Sequence, residues 1–161
     1  MSWDKRELVA RWRGCLEDKL DALQRGRDSA RAGTRVDGDH RPENRGERAS
    51  VTSQGYLAHG LAQRIAELKA SLTQLDDMGC ARRDKVRVGA LVQVEDEDSH
   101  ISWLAIFPGG DATVLEQNGL SLRVLSATSP LARSLAGHDA GDCVEVTQGE
   151  TVSELEVLVV L

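Results

Sequence analysis

The sequence predicts an α+β chain in which a long antiparallel helical hairpin precedes a small β domain with one short helix. Three observations carry that prediction. Apolar residues recur at intervals of three and four through the first 78 residues, and the period changes to two after Lys85. Between two helical stretches of nearly equal length lies a turn-forming acidic segment, Asp37–Gly38–Asp39–His40–Arg41–Pro42–Glu43–Asn44.

The first arm runs from Asp4 to about Thr34. Val9, Trp12, Leu16, Leu20 and Leu23 form one stripe of a helix, which fades into Arg27, Ala30 and Thr34. The acidic segment at 37–44 then reads as the tip of an antiparallel hairpin, because a short loop between matched helices reverses the chain. Pro42 lacks an N–H and disfavours helix at Arg41, which makes Asp39 to Pro42 a loop. Asn44 followed by Glu47 resembles a capping box and starts the second helix. In that helix Val51, Gln54, Ala58, Leu61, Ile65, Leu68, Leu72 and Leu75 alternate spacings of three and four, the seam of a coiled coil. Both seams are weaker toward the tip. Gly46, Gly55 and Gly60 each cost the second helix about 1 kcal/mol relative to Ala, and either close packing or flexibility would account for them. An arm of roughly 30 residues at about 1.5 Å per residue gives a rod of about 45 Å.

Residues 1–78 are thus expected to form the hairpin and 79–85 a linker, since the seam stops at Leu75 and Gly79 supplies a break. Residues 86–161 form the β domain. Its expected strands are Val86–Val94, Ile101–Phe107, Leu120–Leu125, Asp142–Thr147 and Val152–Leu161. Pro108–Gly109–Gly110–Asp111 and Glu116–Gln117–Asn118–Gly119 read as turns by composition. Ser129 to Ala136 reads as a short helix, with Ser129 as cap, Pro130 at its first position and Gly137 ending it. Trp103 and Cys143, on strands, are expected in the core.

Composition narrows the function classes. Residues 1–78 hold 14 Lys/Arg against 13 Asp/Glu, as a solvated helical rod does, whereas residues 79–161 hold 6 against 13. An acidic second half argues against a direct grip on nucleic acid there, because phosphate binding needs clustered Lys and Arg. Aromatics are 3% of the chain, too few to line a large aromatic cavity. Cys15, Cys80 and Cys143 are far apart and odd in number, which suits reduced thiols rather than zinc or a disulfide framework. The N-terminus has no apolar core of a signal peptide, and no window offers a membrane span. A cytoplasmic protein is expected.

Ser129–Pro130–Leu131–Ala132–Arg133–Ser134–Leu135–Ala136–Gly137, followed by Gly141–Asp142 and Val144–Glu145–Val146, resembles the C-terminal signature of the bacterial transcript cleavage factors GreA and GreB. Gly89–Ala90–Leu91–Val92–Gln93–Val94 is similar to that family's first strand of the domain. Glu43–Asn44 with Gln54–Gly55–Tyr56 resembles its tip and returning helix. The resemblance covers most of the chain and is weakest over residues 1–30.

The resemblance implies an FKBP-like C-terminal domain that docks on the rim of the secondary channel of core RNA polymerase, with Ser129, Pro130, Leu131 and Arg133 at the contact. It implies a monomer whose coiled coil enters the channel toward the 3′ end of the nascent RNA. Tip carboxylates Asp39 and Glu43, with Asp37 as substitute, then help hold a polymerase Mg²⁺ and orient water for cleavage of backtracked RNA, supported by Asn44, Arg41 and Arg45. No cofactor is bound stably, and the chemistry belongs to the polymerase rather than to this chain. The family tip is commonly D-x-x-E-N. Here three residues separate Asp39 from Glu43, a widening of up to about 3.5 Å, which is large against Mg²⁺–oxygen distances of about 2.0–2.1 Å.

Alternatives to this reading follow. The wider tip is compatible with a channel-occupying inhibitor that does not promote cleavage, and the three carboxylates alone are also ordinary solvated turn residues. The implied FKBP-like fold raises a prolyl isomerase, although fold does not carry function. A coiled-coil adaptor that dimerises through its seam is a third class, and it predicts a concentration-dependent dimer.

Overall fold

The computed structural model describes residues 3–34 and 45–161. Helix α1 spans Lys5–Thr34 and helix α2 spans Arg45–Met78. Strands β1 (Leu91–Asp96), β2 (Ile101–Ile106), β3 (Val114–Gln117) and β4 (Leu120–Leu125) follow, then the short helix α3 (Pro130–Leu135) and strands β5 (Cys143–Gln148) and β6 (Thr151–Val160). The tip residues Asp37, Asp39, Arg41, Glu43 and Asn44 lie outside the described residues.

The chain divides into two compact units. One comprises residues 14–70, and the other comprises 1–13 together with 71–161. The beginning of α1 and the end of α2 therefore belong with the sheet.

In the unit of residues 14–70, burial follows the predicted seam. Leu16, Ile65 and Leu68 are buried, and Val51, Gln54, Ala58 and Leu61 are half-buried. A Cβ at Gly26 would sit 3.7 Å from Leu61 Cδ1, so α1 and α2 lie against each other at that level. Among the described residues a Cβ at Gly55 or Gly60 would meet nothing within 4 Å, which removes close packing against them as the reason for these glycines.

The second unit is built on a six-stranded sheet ordered β3-β4-β2-β1-β6-β5. Most neighbours run antiparallel, but β2 and β4 are parallel, with Trp103 opposite Leu122. One face carries Val92, Val94, Leu104, Ile106, Val144, Val146 and Val157, all buried in one cluster with Ala132 and Leu135 of α3. That alternation is what a period of two dictates when one helix covers the face.

The first turns of α1 pack on the β2–β4 side. Asp4 Oδ1 accepts from the N–H groups of Arg6 (3.0 Å) and Glu7 (3.1 Å), which caps the helix and fixes its start at Lys5. Trp12 is fully buried and its Nε1 donates to Pro108 O at 2.9 Å, while Trp3 meets Trp103 edge to face at 5.6 Å. Arg13 also pairs with Asp76 across α1 and α2.

Several expectations are corrected. Residues 86–90 do not extend β1. Gly89 takes φ +91, and the Val86 backbone pairs instead with His138 and Gly137 beside the end of α3. Glu116 and Gln117 are strand rather than turn. The reversal is Asn118–Gly119, both with positive φ (54 and 77), the Asn-Gly pair of a two-residue hairpin. Cys143 is exposed, because its side chain leaves the sheet on the face opposite Val144, and Trp103 is half-buried against Trp3.

Candidate functional site

The S-P segment starts a helix for local reasons. Ser129 sits in extended conformation (φ −65, ψ 147), and its Oγ accepts from Ala132 N at 3.3 Å. Pro130 occupies the first helical position, where its missing N–H costs nothing. The helix is two-faced: Ala132 and Leu135 enter the core, and Pro130 and Arg133 stand exposed. At its end, Gly137 takes φ +85 and donates to Val86 O at 2.8 Å.

Leu131 is half-buried and lines a cleft of about 540 Å³. The cleft brings together α3, the β1–β2 turn and strands β2 to β4. Its apolar wall includes Trp103 and two side chains left largely in water, Ile101 (56% exposed) and Val114 (52% exposed). Asp96, Glu97 and Asp98 stand on one rim, and Arg123 also lines it. Of the predicted contact residues, the structure brings Leu131 to the cleft and leaves Pro130 and Arg133 on the adjoining surface. The sequence reading missed Ile101, Val114 and Arg123. For Ile101 and Val114 the signal was an apolar residue at an outward strand position, which alternation alone reads as incidental; Arg123, a charge on an exposed strand position, gave none.

Beside the cleft the sheet carries a dense acidic face. Glu95 stands directly opposite Glu156, and Glu145 directly opposite Glu154. Like charges in that position disfavour the sheet. A shallow depression of about 250 Å³ is lined by Glu95, Asp96, Glu97, Glu154, Glu156 and Cys143. Desolvation first, then the Glu154 and Glu156 carboxylates, push the Cys143 thiol above its ordinary range, so this cysteine is a poor nucleophile.

One group among the described residues has metal-ligand chemistry: ligand atoms of Asp96, Asp98 and His100 lie within 4.8 Å of one another. Asp96 Oδ1 there accepts from the backbone N–H of His100 (2.9 Å) and of Asp98 (3.0 Å), which holds its carboxyl below the ordinary value. The arrangement closes the β1–β2 turn. Arg45 is the exposed first residue of α2.

Comparison with known proteins settles the family. The family described as "Transcription elongation factor, GreA/GreB, C-term" matches residues 81–161. Transcription elongation factor GreA of Verminephrobacter eiseniae is 35% identical over 133 residues, covering 82% of this chain and 79% of the relative. This chain belongs to the GreA/GreB family. GreA of Hyphomonas neptunium is 33% identical over 100 residues, with 61% and 60% covered. Among solved structures, GreA factor homolog 1 (Gfh1) of Thermus thermophilus matches at 15% identity and TM-score 0.38, covering 96% of this chain and 93% of that one. Gfh1 of Thermus aquaticus matches at 19% and 0.39, with 89% and 92% covered. The GreA/GreB match begins at Ala81, beyond the end of α2, and takes in the whole sheet, α3 and the cleft. No helix among the described residues is long and apolar enough to cross a membrane.

Proposed function

We propose that this transcription elongation factor binds core RNA polymerase through its C-terminal domain and extends its helical hairpin into the secondary channel. There Asp39 and Glu43, with Asp37 as substitute, stimulate cleavage of backtracked RNA. The observation that carries this reading is the 35% identity to a GreA over 133 residues, a match too long to lie within the C-terminal domain alone. The docking surface is α3 with its cleft. Leu131, Ile101 and Val114 offer apolar contact, and the acidic rim and face meet basic residues of the polymerase. Charge complementarity of this kind sets on-rate and register more than affinity.

Carboxylates suit the tip because Mg²⁺ prefers hard oxygen ligands and keeps several waters. Asp39 and Glu43 supply oxygen donors to an ion held by the polymerase, and Arg41, Asn44 and Arg45 support the turn. The protein is on this reading not an enzyme itself: the catalysis is intrinsic to the polymerase. It works as a monomer, and the 3′ end of the RNA is met only indirectly.

The Asp39–Glu43 spacing favours a second reading, in which the hairpin occupies the channel without promoting cleavage. A transcript cleavage assay on stalled elongation complexes separates the two. In the first, short 3′ fragments appear with the wild type and vanish with Asp39→Ala or Glu43→Ala, while polymerase binding is kept. In the second, the wild type slows nucleotide addition and releases no fragment. If wild type and both variants leave every polymerase activity untouched, the tip is only a turn and both readings fail.

A further inference from the structure

The chain has two asparagines, and only Asn118 precedes a glycine. The Asn118–Gly119 pair turns the β3–β4 hairpin between the paired residues Gln117 and Leu120. Both turn residues are exposed, and among the described residues a Cβ at Gly119 would meet nothing within 4 Å. Nor does the Asn118 carboxamide make a hydrogen bond among those residues. Its Cγ is therefore held by no partner, and no side chain shields the main-chain nitrogen that follows it. Asparagine is a chemically labile residue, and this setting leaves it open to attack by its own backbone. Next to the turn lies the tie between β3 and α1. Gln117 is buried, and its carboxamide holds Asp4 N at 2.8 Å and Glu7 Oε2 at 2.7 Å. Arg11 bonds the Glu116 carbonyl. Asp4, Glu7 and Arg11 are thus all fixed by the two residues before Asn118.

We propose that Asn118 is a site of spontaneous deamidation, and that its isoaspartyl product releases the tie between β3 and the start of α1. The main-chain nitrogen of Gly119 attacks Cγ of Asn118, and a five-membered succinimide closes. The bond from Cγ to the amide nitrogen breaks. Ammonia leaves with the electron pair and, through water, takes the proton lost by Gly119. A water molecule then opens the ring by adding to one of its two carbonyl carbons. Addition at Cγ restores the main chain and leaves aspartate, whereas addition at the main-chain carbonyl carbon leaves isoaspartate. Nothing is oxidised or reduced. The aspartyl product keeps the turn, because Asp-Gly suits a two-residue hairpin as Asn-Gly does. In the isoaspartyl product the main chain runs through Cβ and Cγ and is one carbon longer. Turn length sets hairpin register, so Gln117 cannot stay opposite Leu120 and keep its hold on Asp4. Buried polar groups left without partners are costly, and the start of α1 is the element that gives.

The test incubates the full chain in mildly alkaline buffer and follows both asparagines by peptide mass spectrometry. Asn118 is expected to convert several-fold faster than Asn44, which precedes Arg45, and to give separable aspartyl and isoaspartyl peptides. An Asn118 that stays intact, or an Asn44 that converts as fast, overturns the assignment. Hydrogen exchange then reads the amides of Arg6, Glu7 and Leu8, all of which bond Asp4. In the isolated isoaspartyl protein these should exchange several-fold faster than in fresh protein. Asn118→Gly keeps a turn-forming pair and cannot form the succinimide, so the same incubation should leave its exchange unchanged. Equal acceleration in Asn118→Gly, or none in the isoaspartyl protein, overturns the claim that the turn releases the helix start.

Discussion

The side chain of Gln117 holds the backbone of Asp4. Gln117 is 3% exposed; its Oε1 accepts from Asp4 N at 2.8 Å, and its Nε2 donates to Glu7 Oε2 at 2.7 Å and to Asp4 O at 3.4 Å. One buried carboxamide on β3 thus engages both main-chain polar groups of the residue that caps α1. Buried polar groups are tolerated when their partners are all supplied, and here β3 supplies them to the helix start.

Gln117→Ala should therefore destabilise the sheet-containing unit by about 1–3 kcal/mol, since Asp4 N and Glu7 lose a buried partner. Denaturant unfolding monitored by Trp fluorescence reads this directly, because Trp3 adjoins Asp4 in the chain and packs edge to face on Trp103. A change below about 0.5 kcal/mol would show that the helix start is held without it.

Leu68 tests the seam. It is buried on α2, three residues beyond buried Ile65, and Leu68→Ala should cost about 2–5 kcal/mol in urea unfolding. Loss of less than about 1 kcal/mol would mean that the stripe is not packed in solution.

The two open glycines of α2 predict the opposite sign. Gly60→Ala adds a methyl group where nothing lies within 4 Å. It should stabilise the helix by about 0.5–1 kcal/mol by restricting the unfolded chain. Increased helicity by circular dichroism with a raised Tm is the expected outcome.

Asp142 predicts a pH dependence. Its Oδ2 accepts from Asp139 N at 2.8 Å and contacts His138 Nδ1 at 3.2 Å. The Asp139 N–H first, and then His138, hold its carboxyl below the ordinary 3.8. A carboxyl depressed in the folded state stabilises the fold above the unfolded pKa, and that contribution is lost as pH falls through the folded pKa. The stability difference between wild type and Asp142→Asn should be fully present above about pH 5 and shrink below 3.8. A difference that stays constant from pH 6 to pH 2.5 would exclude this bond as its source.

Much of this architecture is visible in the residues themselves. Both helices are marked by Leu at helical spacing, and α3 by Ser129–Pro130 and Gly137, because capping and periodicity are local physics. What escaped was set by distant partners. Gln117 looks like turn chemistry beside Asn118–Gly119 until Asp4 is placed against it. Val86 reads as strand by composition, yet its backbone hydrogen bonds go to the loop after α3. The cleft escaped for the same reason: Ile101, Val114 and Leu131 meet only when β2, β3 and α3 are folded. Nor does alternation distinguish Val144 from Cys143 until one face acquires a helix.

The position of β6 between β1 and β5 has a consequence for a chain leaving the ribosome. Strand β1 ends at Asp96, but the strand that completes its second edge begins only at Thr151. At roughly 5–20 residues per second, β1 waits several seconds with one edge open. Strand β5 has no partner at all until β6 arrives. The two long helices, by contrast, are complete before the first strand is synthesised. A nascent chain stalled in that interval presents Val92 and Val94 on an unfinished edge, the kind of surface that chaperones capture and that pairs wrongly with a second nascent chain.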